Sequence, residues 1–216
     1  MKTSNIATII PAIVLPLFLT SCMGDFLQPR EDPTVFYMLK AESTRAPAKV
    51  DSAPLQVNLL PITIPSYMAR PQIVSLASGD RVDMSEFNRW SELPNDAITR
   101  IMVQNLSVLN HGIVDLYAYP AVAVDPNAPA LKITITECIG KLGGELSLKG
   151  KWRIIPANDD EIFQSKMFAI NIPCEDSYDS YVSAMSAAFV QMAKQISEGL
   201  NEYKNKIAAK STADKK

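Results

Sequence analysis

The sequence has one histidine and three cysteines in 216 residues. A single imidazole argues against a histidine-built metal site and against a histidine-dependent catalytic triad. Three cysteines are too few for a disulfide-built scaffold. Gly-x-Ser-x-Gly, both phosphate-binding glycine loops and Cys-x-x-Cys are all missing, and with them the commonest local signatures of hydrolases, nucleotide enzymes and zinc sites. Charge of one sign is also missing: 21 basic residues face 23 acidic ones, so there is no basic excess of the kind that marks a nucleic-acid binder. No apolar run reaches the roughly 20 residues that a spanning helix needs. What is present is ordinary globular composition, 47% hydrophobic and 20% charged, enough for one domain with tails.

The N-terminus is an address. Lys2 precedes a 14-residue apolar run, Ile6 to Leu19, broken by Pro11 and Pro16. Its length fits a secretory h-region. Leu19-Thr20-Ser21-Cys22 follows and resembles the bacterial lipobox: an aliphatic residue, two small residues, then the cysteine that takes the lipid. Small side chains let a peptidase close on the backbone, and the thiol becomes a thioether to diacylglycerol. The reading is residues 1–21 as lipoprotein signal peptide, Cys22 as lipidation site, and 22–33 as a polar tether. Met23, where an aspartate would favour inner-membrane retention, points to the outer membrane, with the domain on its periplasmic side.

Hydrophobic periodicity organises residues 34–204. Short β-branched and aromatic runs predict strands at 34–39, 55–60, 72–76, 81–90 and 113–118. Three- and four-residue steps from Leu93 to Leu109 predict a helix starting at Pro94, with Gly112 just past its end. Leu131, Ile133 and Ile135 open an antiparallel meander with turns at Gly143-Gly144 and Asn158-Asp159-Asp160. A second helix runs from about Ser177 to Tyr203, and lysine-rich residues 205–216 read as a flexible tail. The fold class is α/β of the α+β-like kind, a mixed and largely antiparallel sheet with two helices packed on one face.

Candidate chemistry is sparse. Cys138 and Cys174 sit in the meander, and the turn positions place Cys138 opposite Leu148 and Leu148 opposite Ile170. The two thiols are then about 16 Å apart by strand spacing and rise, beyond the roughly 7 Å limit for a bridge. His111 reads as a helix-end residue, and Asp159-Asp160-Glu161 as a solvated turn tip. The expectation is no catalytic residue, no metal and no cofactor. One segment stands out: Ile64-Pro65-Ser66-Tyr67-Met68-Ala69-Arg70-Pro71-Gln72-Ile73-Val74, followed by Arg89-Trp90-Ser91-Glu92-Leu93. Prolines on both sides fix the turn. Tyr67, Arg70, Gln72 and Trp90 are the candidate partner surface, since rigid aromatic and arginine side chains anchor interfaces. The same residues could instead lock a loop to the domain.

These two segments resemble the signature of the ABC-type transport auxiliary lipoproteins, the paraquat-inducible protein C kind. That signature is roughly L-P-x-Y-L-x-R-x-Q-I-V, then R-W-A-E-P-L. Here Ile64 and Met68 stand for the two leucines, Ala69 stands where aspartate is common, and the proline of the second motif is shifted to Pro94. The likeness runs on through Phe36-Tyr37, Lys151-Trp152-Arg153 and the last helix. It implies an accessory lipoprotein of a system that moves lipid between the Gram-negative membranes, docked on an MCE-domain conduit protein and assembled as a homo-oligomer, with no enzymatic role. The rival is a lipoprotein regulator of a cell-wall synthase. Such a regulator needs a long tether to cross peptidoglycan, and the tether here is short.

Overall fold

The computed structural model describes residues 31–42, 54–79, 81–111, 113–118, 125–157 and 162–213. Cys22, Gly112 and the Asn158–Glu161 turn lie outside them. The chain divides into two units, Met1–Pro33 and Thr34–Lys216, and the fold below is that of the second.

The elements follow the chain as β1 (Val35–Tyr37), β2 (Leu55–Leu59), β3 (Gln72–Leu76), β4 (Val82–Trp90), α1 (Pro94–Leu109), β5 (Val114–Ala118), β6 (Ala130–Gly140), β7 (Glu145–Ile155), β8 (Gln164–Pro173) and α2 (Tyr178–Ala213). They build two mixed sheets where the sequence suggested one. The small sheet has the order β1-β4-β3 and the large one β5-β2-β6-β7-β8. The long β6-β7-β8 meander is antiparallel, whereas β2 runs parallel to both β5 and β6.

Alternation sets the layers. On β6 and β7, Leu131, Ile133, Leu146, Leu148, Trp152 and Ile154 have no exposed surface, while the residues between them face the other way. Against this apolar face lies the stripe of α2, with Tyr181, Ala188, Phe189, Met192, Ile196 and Leu200 fully buried. Gly199 is what lets α2 come so close. A Cβ there would stand 2.5 Å from the Trp152 ring, tighter than packed side chains tolerate. α1 adds Ile98, Ile101, Met102 and Leu106 to the same core. Its start at Pro94 agrees with the sequence reading, since proline at the first helical position gives up only an N–H that has no partner anyway. At its other end His111 takes the left-handed conformation, with φ of 50°.

The meander register is as expected: Cys138 lies opposite Leu148, and Leu148 opposite Ile170. Both cysteines are free. The C-terminus differs from expectation. α2 runs past Tyr203 to Ala213, because Lys204–Ala213 contains no glycine or proline and is rich in alanine and lysine, both strong helix formers.

Candidate functional site

Pro65 and Pro71 bracket the motif. Between them the Met68 N–H donates to the Pro65 carbonyl at 3.0 Å and the Ala69 N–H to the Ser66 carbonyl at 3.2 Å, closing one helical turn. Met68 plugs the turn into the core at 7% exposure. Half-buried Tyr67 reaches sideways, and its hydroxyl accepts the backbone N–H of Cys138 at 2.9 Å.

That N–H needs a partner because β2 stops early. β2 pairs with β6 only at Ala130 and Leu131, and Thr63 adds one bridge, to Thr134. Further along β6, the Gly140 N–H donates to the Tyr181 hydroxyl at 3.1 Å, and that hydroxyl donates to the Val74 carbonyl at 3.0 Å. Two phenols, one from the motif turn and one from α2, thus stand in for the missing strand. They also tie the large sheet to β3 of the small one. Tyr181 is not among the residues that the sequence singles out. The available signal was its chemistry: a tyrosine amid alanine and methionine on a buried stripe has to find a polar partner for its hydroxyl.

Burial sets the electrostatics of this end of the sheet. It raises Tyr67 above the usual phenol pKa, opposed by the hydrogen bond from Cys138. It raises Tyr181 further, helped by the nearby Cys138 thiol. The Cys138 thiol is pushed from 9.0 up to about 12, mainly by burial and then by Glu137. A thiol held so high is protonated at neutral pH and is a poor nucleophile. All three groups are neutral in the fold and ionise more readily in the unfolded chain, so the sign follows. Their contribution is complete below the ordinary thiol value of 9.0 and is lost as pH rises towards about 12. The urea midpoint is therefore expected to fall between about pH 8 and about pH 11. Cys138→Ala should flatten that fall whatever it costs at neutral pH. A parallel fall in both proteins would show that Cys138 takes no part.

The other motif residues divide between two faces of the small sheet. Arg89 is the hub: it lies opposite Gln72 on β3 and opposite Phe36 on β1. Val74 opposite Met84 and Leu76 opposite Val82 continue the same outer face. Phe36 is 65% exposed, Met84 51% and Val82 48%. The Arg70 guanidinium lies against the Met84 thioether. Trp90 points the opposite way. Its side chain is 8% exposed within the core, and its backbone N–H donates to the Pro71 carbonyl at 2.7 Å. Tyr67 and Trp90 therefore brace the motif from behind, while Arg70 and Gln72 keep part of their surface in solvent. Among the described residues, no group of three His, Cys, Asp or Glu side chains converges as a metal site would require.

Solved structures of similar shape support the fold. One, described only as an uncharacterized protein, superposes with a TM-score of 0.64 at 16% identity, covering 77% of this chain and 98% of its own. Protein XCC0632 from Xanthomonas campestris gives 0.61 at 14% identity, covering 76% and 93%. A search of curated proteins finds no match. Residues 37–197 match a known protein family. That span runs from β1 almost to the end of the buried part of α2 and includes both motif segments, so this chain belongs to the family of ABC-type transport auxiliary lipoprotein components.

Proposed function

We propose that this auxiliary lipoprotein is fixed to the periplasmic face of the outer membrane by acyl chains on Cys22, with 22–33 as its tether. There it docks on an MCE-domain protein of an intermembrane lipid-transport system, as a homo-oligomer and without catalytic activity of its own. The observation that carries the docking role is the outer face of the small sheet. Phe36, Met84, Val82 and Leu76 leave apolar surface in water beside the arginines Arg70 and Arg89. A contiguous apolar patch rimmed by such groups marks an interaction surface, and arginine is enriched where binding energy concentrates. Tyr67 and Trp90 hold this face in shape, and Arg70 and Gln72 contribute to its contacts.

Co-purification from envelope extracts tests the proposal, with the lipoprotein as bait and the MCE protein of the same organism as prey. Wild type is expected to retain the prey. Phe36→Asp combined with Met84→Asp should lose it by at least about tenfold, as charges placed in the centre of an apolar contact do. Both positions are exposed, so the variant should still melt cooperatively. Folded wild type that retains no MCE protein would sink the reading.

A further inference from the structure

The face of the large sheet turned away from the helices carries a cation cluster that the docking surface does not use. Lys132 on β6 lies directly opposite Arg153 on β7, and Thr134 lies opposite Lys151 one row along. Opposed residues of an antiparallel pair have Cβ atoms about 5 Å apart, and like charges placed so destabilise the sheet. Among the described residues none of the three cations has an ion-pair partner. The face does contain one satisfied pair, Lys149 with Glu137 at 2.9 Å, further along the same strands. The arrangement is therefore not simply a row of lysines lacking neighbours of opposite sign.

Two further observations point into the cluster. Among the described residues, the side chains of Lys132, Thr134, Lys151 and Arg153 line a depression of about 180 Å³. The Arg153 Nε–H is shielded from solvent and has no hydrogen-bond partner among the described residues. A shielded donor without an acceptor is destabilising, and this adds here to the repulsion between opposed charges. Both costs disappear if an oxyanion sits in the depression. A phosphate group suits it best. Its several oxygens can take a guanidinium fork, two ammonium point charges and a threonine hydroxyl at once.

We infer that Lys132, Lys151 and Arg153, with Thr134, form a binding site for a phosphate-bearing anion. The inference is independent of which protein the lipoprotein docks on. Two sources share this chemistry, free phosphate and the headgroup of an anionic phospholipid. Met167, opposite Lys151 on the edge strand β8 and 87% exposed, adds an apolar shoulder suited to the latter. Asp159, Asp160 and Glu161 follow β7 in sequence and lie outside the described residues.

The test uses the mature chain with Cys22→Ser, so that no acyl chain contributes. Inorganic phosphate is titrated while the Arg153 Nε–H resonance is followed. Sedimentation is measured with phosphatidylcholine vesicles, with and without phosphatidylglycerol. A saturable Arg153 shift, together with at least about tenfold tighter binding to the anionic vesicles that weakens with salt, is the expected result and identifies a headgroup. The shift without vesicle preference identifies free phosphate. K132Q/K151Q/R153Q should lose both responses, whereas K204Q/K210Q, on the far end of α2, should keep them. Because the three side chains face outward and repel, the triple variant should melt no lower than wild type; if it does, Lys132→Gln alone carries the comparison. Neither response in wild type would overturn the inference. So would responses that survive in the triple variant.

Discussion

Exported behind a signal peptide that is cleaved without lipidation, Cys22→Ala is expected to appear in the soluble periplasmic fraction, while wild type stays with the membranes. The change is large because anchoring is close to all-or-none in chain number. Each buried methylene contributes about 0.8 kcal/mol, and one acyl chain gives only marginal, reversible binding. The diacylglycerol thioether supplies two chains and an acylated amine a third, which makes release negligible on the timescale of fractionation. On the proposed reading the 14-residue apolar run Ile6–Leu19 leaves with the signal. Among the described residues no helix is long and apolar enough to cross a membrane. Wild type should incorporate labelled palmitate and the variant should not. A variant that remains membrane-bound after signal cleavage would show that protein contacts, not acyl chains, do the anchoring.

Much of the fold was legible because its signals are periodic. The turn at Gly143-Gly144 marked the β6-β7 pairing as far as Cys138, beyond which a bulge between Ile135 and Glu137 shifts it by one residue, and Leu93 to Leu109 marked α1. Which way Trp90 points depends on a feature that no local pattern shows. Read as a regular strand, 82–90 puts Val82, Met84 and Trp90 on one face. Between Met84, opposite Val74, and Arg89, opposite Gln72, β4 carries surplus residues. The Ser85 hydroxyl holds this bulge by accepting the Asn88 N–H at 2.9 Å. A bulge with an odd offset inverts the side-chain phase, so Arg89 emerges outside and Trp90 inside. The cation cluster escaped notice for a related reason. Lys132 and Arg153 are 21 positions apart, and only strand pairing makes them neighbours. The early end of β2, and with it the task of the two phenols, depends on tertiary packing that no local pattern encodes.

Those phenols carry the largest expected stability effect. Tyr181→Phe keeps the ring that fills the core and removes one oxygen. That oxygen accepts the Gly140 N–H and donates to the Val74 carbonyl, and the side chain has no exposed surface. Water therefore has no easy route to replace it. Each buried backbone group left unpaired costs about 1–3 kcal/mol, so the variant should lose about 2–5 kcal/mol, a large share of a typical domain's stability. Tyr67→Phe orphans only the Cys138 N–H, at a half-buried site that water can approach, and should cost about 1 kcal/mol. Urea titrations with unchanged slopes would measure both. The two orphaned N–H groups lie two residues apart on one strand, so the double variant should depart from additivity. Val74 also makes this a functional prediction. It belongs to β3, which carries the proposed docking face, so Tyr181→Phe should weaken protection against hydrogen exchange at Ile73–Ser75 and reduce capture of the MCE partner. If Tyr181→Phe melts within about 0.5 kcal/mol of wild type, the phenol is not what joins the two sheets, and the rigidity argued for the docking face must come from elsewhere.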